Sequence, residues 1–191
     1  MQTIQLNPST SALVLIDLQQ GIVSRALEPY TAEQVIANCS ILSRQFHDRN
    51  ALVVYVRVDL ANFIQLDVDT PSRAPDAPIP PAAASELVRN IGYEPGDLII
   101  TKYHWSAFID TELEQQLAKR HINTIVLGGV STSIGVESTA RQAAGLGINV
   151  VFAEDAMSAS LAVHHQFSVE HIFPRLGRVT TTQQISLTQP S

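Results

Sequence analysis

Two ionisable residues follow apolar runs at widely separated points of the chain: Asp17 comes directly after residues 13–16, and Lys102 follows residues 98–101. A carboxylate in apolar surroundings is costly unless it is paired, hydrogen-bonded or protonated, because burial disfavours its charged form. Burial raises the pKa of such a carboxyl group, and a neighbouring ammonium group lowers it. We expect Asp17 and Lys102 to form a buried acid–base pair; the alternative is two unrelated charges at strand ends.

A turn rich in hydroxyl groups lies in the stretch GGVSTSIGVESTAR, residues 128–141, which follows the apolar run 122–127. Ser131, Thr132 and Ser133 lead into a predicted helix, whose first N–H groups and partial positive charge suit an anion or oxyanion. The alternative is that Thr132 or Ser133 only caps this helix. Gly135 falls in the first helical turn, where glycine costs about 1 kcal/mol relative to alanine, so its presence calls for an explanation.

A serine nucleophile is a second chemical possibility. Ser131, Asp155 and either His164 or His165 follow the chain order of a nucleophile-elbow hydrolase. However, the turn lacks the second glycine of G-x-S-x-G, and the acid and the histidine are close together in sequence. We therefore regard this triad as the less favoured interpretation.

The composition excludes several other classes of function. The net charge is −6 and the 12 basic residues form no run, so neither nucleic acid nor a membrane surface is an expected partner. The start of the chain does not resemble a signal peptide, which predicts a cytoplasmic location. Cys39 is the only cysteine and is expected to be buried in a helix. The histidines on the predicted helix 160–173 lack the i, i+4 spacing of a helical metal pair, and we predict neither a metal nor a cofactor.

The elements that must position these groups alternate along the chain. Five apolar runs read as strands buried on both faces, and between them lie helical patterns long enough for right-handed crossovers. The predicted strands are 12–16, 51–58, 97–101, 122–127 and 148–153, and the predicted helices are 32–49, 111–120, 132–146 and 160–173. We predict one α/β domain over residues 1–191, an open, mainly parallel six-stranded sheet of Rossmann-like order 3-2-1-4-5-6 with helices on both faces.

Ligands of such sheets bind beyond the carboxyl ends of the strands, where the strand order reverses. Polar residues at these ends are Asp17, Arg57, Asp59, Lys102, the 131–133 turn and Asp155. The proline-rich segment 59–96 interrupts the alternation, with 85–90 compatible with a brief helix. A connection this long in one domain is typical of a binding loop, a lid or a cover for a neighbouring subunit.

Four stretches together resemble the isochorismatase-like hydrolase family: residues 15–19, Lys102, residues 126–140 and residues 147–156. The resemblance extends over roughly residues 10–180. Most members of that family hydrolyse amides with an Asp–Lys–Cys triad, and the cysteine position corresponds to Gly135 here. The resemblance therefore implies that the thiol route is closed. A metal site of the nicotinamidase type is not implied either, because Ala61 stands where that pattern has a histidine.

Isochorismatases proper also carry glycine at the cysteine position and keep the aspartate and the lysine. By this resemblance Asp17 is a general acid that protonates the enol carbon of a vinyl ether, water captures the oxocarbenium ion, and Lys102 orients the acid. The resemblance further implies substrate contacts from residues of the turn and of the first motif, namely Ser131, Thr132, Ser133, Ile134 and Gln19. It also implies a homodimer or homotetramer.

The turn departs from those enzymes, because Ser131-Thr132-Ser133 replaces an aromatic residue, alanine and histidine. Isochorismate itself is therefore not the predicted substrate. Our leading hypothesis is a cysteine-independent hydrolase of this family, in which Asp17 and Lys102 act on a small metabolite. The alternatives are a serine-dependent acyl hydrolase and a non-catalytic ligand-binding protein.

Overall fold

The computed structural model describes residues 3–188. Its strands are β1 (Ile4–Leu6), β2 (Ser11–Ile16), β3 (Leu52–Val58), β4 (Leu98–Lys102), β5 (Thr124–Val130), β6 (Asn149–Ser158), β7 (Arg178–Thr180) and β8 (Ile185–Leu187). Its α-helices are α1 (Gln20–Val23), α2 (Ala32–His47), α3 (Leu113–Lys119), α4 (Glu137–Gly145), α5 (Ala162–Phe167) and α6 (Phe173–Leu176).

Six of the strands form one parallel sheet in the order β4-β3-β2-β5-β6-β7. Counted along the chain within this sheet, the order is 3-2-1-4-5-6, which confirms the predicted α/β architecture. The order reverses between β2 and β5, so the crevice beyond these two strands is the expected ligand site. Two short elements escaped sequence analysis: β7, and the small parallel sheet that β1 forms with β8.

Apolar layers cover both faces of the sheet. On one face α2 inserts Val35, Cys39 and Phe46 against β2 and β3, and all three side chains are fully buried. The other face packs against α3, α4 and α6. The start of α2 is fixed by a capping box, in which Thr31 and Gln34 exchange side-chain-to-backbone hydrogen bonds. Cys39 thus lies where its helical pattern predicts, in the core.

Two predicted helices are more irregular than their patterns indicate. The helix expected at 132–146 begins with a π-helical turn, Thr132–Val136, before α4, and a second π-helical turn, Ser168–Ile172, separates α5 from α6. No described helix is long and apolar enough to span a membrane.

The brief helix expected at 85–90 is wrong. A short 3₁₀ helix, Ala82–Ser85, ends where that helix was expected to begin. Backbone hydrogen bonds from Gln20 to Glu86 and from Val88 to Leu18 hold the following residues extended. Pairing with the chain beyond β2 therefore overrides the local helical preference.

Candidate active site

Asp17 lies immediately beyond the carboxyl end of β2. Its N–H donates to the carbonyl of Val56 (2.8 Å), and its backbone then turns through the left-handed region with φ +52°. Aspartate tolerates this conformation better than most residues because its short polar side chain can hydrogen-bond locally. The turn leaves the carboxyl group at the edge of the sheet, and the residue is only 6% exposed.

Lys102 provides the partner predicted for this carboxylate. Its Nζ lies 2.8 Å from Asp17 Oδ2 and also donates to the carbonyl of His104 at 3.2 Å. The lysine is 1% exposed, so both charges are removed from water. Burial raises the pKa of Asp17, and the Lys102 ammonium opposes that rise.

The second carboxylate oxygen has no such partner. Asp17 Oδ1 is buried and makes no hydrogen bond to the described part of the chain. The nearby N–H of Val58 donates instead to the side chain of Gln19, at 2.8 Å. A carboxyl group that has a raised pKa and a buried oxygen without a hydrogen-bond partner can hold and release a proton.

Gly135 faces this carboxyl group from the π-helical turn. A Cβ at Gly135 would lie 3.3 Å from Asp17 Oδ2 and 3.1 Å from Ile16 Cγ2, closer than ordinary van der Waals contact, so the turn comes close to the acid. At Gly129, where φ is +113°, a Cβ would collide with the Ile16 carbonyl oxygen, so glycine lets β5 lie close to β2. The close approach at Gly135 gives a physical reason for glycine there, because a Cβ would require Asp17 or Ile16 to shift by a few tenths of an ångström.

A cavity of about 330 Å³ opens above these groups. Five of the predicted site residues line it together, namely Asp17, Lys102, Ser131, Ile134 and Gly135. We call Asp17, Lys102 and Gly135 the floor of the cavity. Segment 59–96, which we call the roof, contributes several further lining residues, including Leu60, Phe63, Arg73 and Pro80.

Three other predicted substrate contacts lie outside the lining of the cavity. The amide of Gln19 is buried and fully used by the protein, since it donates to Val58 O (2.9 Å) and accepts from Val58 N. Thr132 is fully buried and pairs with His165, at 2.9 Å between Oγ1 and Nδ1. Ser133 is half-buried. Their role in substrate binding stays a prediction.

The groups proposed for a serine triad have other partners. His165 contacts Thr132, and Asp155 Oδ1 accepts from the N–H (2.7 Å) and the hydroxyl (2.8 Å) of Thr182.

Asp59 is satisfied within its own loop, by the N–H groups of residues 61 and 62 and the side-chain amide of Asn62. In residues 3–188 no group of three or more His, Cys, Asp or Glu side chains is arranged to hold a metal ion.

Sequence reasoning missed three large residues of the cavity wall. Arg25 follows α1, Arg73 belongs to the roof, and Trp105 comes from the loop after β4. Thr139 anchors that loop, because its hydroxyl accepts from Ala107 N (3.1 Å) and donates to Gly135 O (2.7 Å). Arg25, Arg73 and Trp105 belong to no periodic pattern of the sequence. Only their position after a strand or in the proline-rich segment could have pointed to them.

Comparison with known proteins identifies the family of the chain. The isochorismatase domain model matches residues 11–184. The chain is 44% identical over 186 residues to the isochorismatase family protein YecD of Escherichia coli O157:H7, covering 95% of this chain and 97% of that protein. It is 39% identical to YwoC of Bacillus subtilis, another isochorismatase family protein, covering 96% of each.

A solved structure of an isochorismatase family protein from Burkholderia thailandensis superimposes with a TM-score of 0.88. That protein is 37% identical, and the match covers 96% of this chain and 97% of the other. Sequence and fold thus agree over nearly the whole length. The chain belongs to the isochorismatase family of hydrolases.

Proposed function

We propose that this hydrolase cleaves a small anionic enol ether without a thiol nucleophile, with Asp17 as general acid and Lys102 as its partner. The observation that carries the proposal is the buried Asp17–Lys102 pair on the cavity floor, with Asp17 Oδ1 unpaired and the turn at Gly135 close to the carboxyl group. An acid whose pKa is raised by burial keeps its proton closer to neutral pH, where it can donate it.

The proposed reaction balances without any other reagent than water. Protonated Asp17 donates its proton to the terminal enol carbon, which forms a C–H bond and leaves an oxocarbenium ion. Water adds to that ion and returns a proton to the Asp17 carboxylate. The hemiketal then breaks its C–O bond to give a ketone and an alcohol. Lys102 favours the first step, because the carboxylate that forms lies 2.8 Å from its ammonium group.

Two cations in the cavity wall support an anionic substrate. Apart from Lys102, the described lining carries the guanidinium groups of Arg25 and Arg73, while Asp17 is its one acid. Arg73 makes a single long hydrogen bond, 3.4 Å to the carbonyl of Leu60, and neither arginine forms an ion pair with a described residue. A guanidinium group without an ion-pair partner is available to bind a carboxylate of the substrate.

The test uses the carboxyvinyl ether of a small cyclic alcohol, whose hydrolysis releases pyruvate. We expect pyruvate from the wild type, and losses of about 10²–10⁴-fold in Asp17→Asn, the range of general acid catalysis. Lys102→Ala is expected to lower turnover as well. Release of product from a matched amide or ester, but not from the ether, would contradict the proposal and favour acyl transfer.

Asp97→Asn is the matched control. Asp97 also forms a 2.8 Å pair with a basic side chain, His47 Nε2, and its side chain is 7% exposed, but it lies outside the cavity lining. We expect this variant to retain turnover. If Asp97→Asn and Asp17→Asn lose activity equally, Asp17 acts through stability and not as an acid.

A further inference from the structure

A chain of polar contacts begins at Thr132, in the turn that precedes α4, and passes through residues outside the cavity lining. Thr132 Oγ1 lies 2.9 Å from His165 Nδ1, and His165 Nε2 lies 3.7 Å from Glu154 Oε2. The same Glu154 oxygen accepts a hydrogen bond of 2.9 Å from the hydroxyl of Tyr30, whose ring packs edge-on against His165. The four side chains join the turn to β6, to α5 and to the loop before α2.

None of the four side chains lines the cavity; Thr132 is fully buried, His165 is 4% exposed, and Tyr30 and Glu154 are half-buried. Neither the proposed reaction nor the packing of the core accounts for a buried histidine with Thr132 at hydrogen-bond distance from one ring nitrogen and a carboxylate near the other. A buried polar group is costly unless it is hydrogen-bonded, so the Thr132–His165 hydrogen bond constrains both residues.

The direction of the Thr132–His165 hydrogen bond depends on the tautomer of the imidazole. A proton on Nε2, the nitrogen that faces Glu154, leaves Nδ1 to accept the O–H of Thr132. Thr132 immediately follows Ser131 and lies three residues before Gly135, both of which line the cavity. A fixed Thr132 therefore restrains the turn that comes close to Asp17.

The same chain of contacts reaches a second wall of the cavity. Tyr30 is held on β6 through Ser158, whose hydroxyl accepts from Tyr30 N (3.2 Å) and donates to Tyr30 O (2.8 Å). Residues 25–27, just before this anchor, line the cavity and include Arg25. The turn and this wall are thus connected through one network of polar contacts.

We infer that His165 is a positioning residue, which holds the Ser131–Gly135 turn against Asp17 through the Thr132 hydroxyl. Its effect on turnover rests on the proposed function, whereas its effect on the turn does not. Loss of the hydrogen bond frees the turn while leaving Asp17 and Lys102 in place, so it lowers kcat more than it raises KM.

The first measurement is amide hydrogen exchange of the peptide spanning 128–140, followed by mass spectrometry. His165→Leu and Thr132→Val each remove one side of the bond, and we expect exchange of the turn to rise about tenfold, the worth of one buried hydrogen bond. Thr132→Ser keeps the hydroxyl and is expected to restore protection. Thr132→Val is nearly isosteric, so it decides the question if His165→Leu does not fold.

The second measurement is pyruvate release from the carboxyvinyl ether. We expect a fall in kcat of about tenfold in Thr132→Val, recovered in Thr132→Ser, and a double variant with His165→Leu no worse than the worse single variant. Additive losses in the double variant would overturn the inference, because they would mean that the two residues act separately.

Tyr55→Phe controls for general destabilisation. The hydroxyl of Tyr55 donates to Ser43 Oγ at 2.9 Å in the core, away from the cavity lining, so its removal costs a comparable buried hydrogen bond. We expect Tyr55→Phe to lower Tm with no change in exchange at 128–140 or in kcat. If hydrogen exchange at 128–140 in Thr132→Val stays at the wild-type level, the positioning role is wrong, whatever the turnover. If the protein hydrolyses no ether at all, the proposed function fails, and hydrogen exchange alone then decides the positioning role.

Discussion

The floor and the roof of the cavity are built in opposite ways. Asp17, Lys102 and Gly135 are buried at the carboxyl edge of the parallel sheet, and Lys102 Nζ lies 2.8 Å from Asp17 Oδ2. The roof, residues 59–96, is largely exposed, contains one short 3₁₀ helix and holds Arg73 by a single 3.4 Å hydrogen bond. Under the proposed function, the reacting groups are held by the sheet, whereas Arg73, one of the two arginines proposed to bind the substrate, lies on an irregular connection.

This division has an energetic basis. Moving a reacting group by about 1 Å costs on the order of 100-fold in rate, so an acid must be held rigidly. A guanidinium group that binds a carboxylate tolerates more movement, because its five donors offer several geometries. Changes to the floor should therefore alter kcat, whereas changes to the roof should alter KM.

The sharpest test of the floor is Gly135→Ala. The added methyl group would lie 3.3 Å from Asp17 Oδ2 and 3.1 Å from Ile16 Cγ2, tighter than ordinary contact. We expect the carboxyl group to shift by a few tenths of an ångström and kcat for the carboxyvinyl ether to fall by at least about tenfold. Gly145→Ala in the same helical segment is the control, since a Cβ there meets nothing within 4 Å. An unchanged kcat in Gly135→Ala would show that the close contact has no catalytic role.

The pH dependence of turnover tests the protonation state of the floor. Burial raises the pKa of Asp17, and the proposed reaction uses its protonated form. Activity should therefore be present below that pKa and fall about tenfold per pH unit above it. The measurement is kcat against pH, with the folded fraction followed by circular dichroism. Activity that rises with pH over the same range would mean that Asp17 acts as a base or not at all.

The roof is tested by Arg73→Ala. Loss of one carboxylate contact should raise KM about tenfold, equivalent to about 1.4 kcal/mol, with kcat little changed. Arg25→Ala should behave similarly from the opposite wall. The methyl ester of the ether lacks the carboxylate charge, so its KM should be indifferent to both substitutions. A fall in kcat without a change in KM would remove the distinction between floor and roof.

The smallest expected effect is that of iodoacetamide, which should leave activity unchanged. Cys39 is fully buried, its thiol donates to Ala156 O at 3.3 Å, and burial raises its pKa. Thiolate is the reactive form, so the only cysteine of the chain is inert in the folded state. Rapid inactivation that tracks labelling of native protein would indicate a thiol-dependent route.

Sequence patterns predict the floor well and the roof poorly. Continuous apolar runs identify buried parallel strands, and the ends of those strands place Asp17, Lys102 and the turn at one edge of the sheet. Gly135 carries a signal because glycine in a helix is costly. Arg73, in contrast, lies between prolines with no periodicity, and Thr132–His165 joins residues whose proximity depends on how α5 packs. Three-residue strands such as β7 are too short for any pattern.

The connection between β3 and β4 has a consequence for how such a protein diversifies. Val58, the last residue of β3, is in register with Lys102, the last residue of β4, whereas β4 begins at Leu98, which is in register with Val54. The roof therefore leaves the sheet at its carboxyl edge and returns at the opposite edge, and backbone hydrogen bonds between residues 86–88 and the chain beyond β2 hold it on the way. Surface connections tolerate changes in length and sequence better than strands do. Under the proposed function, we expect exchange of the exposed part of the roof to change which substrate binds while Asp17 and Lys102 stay in place.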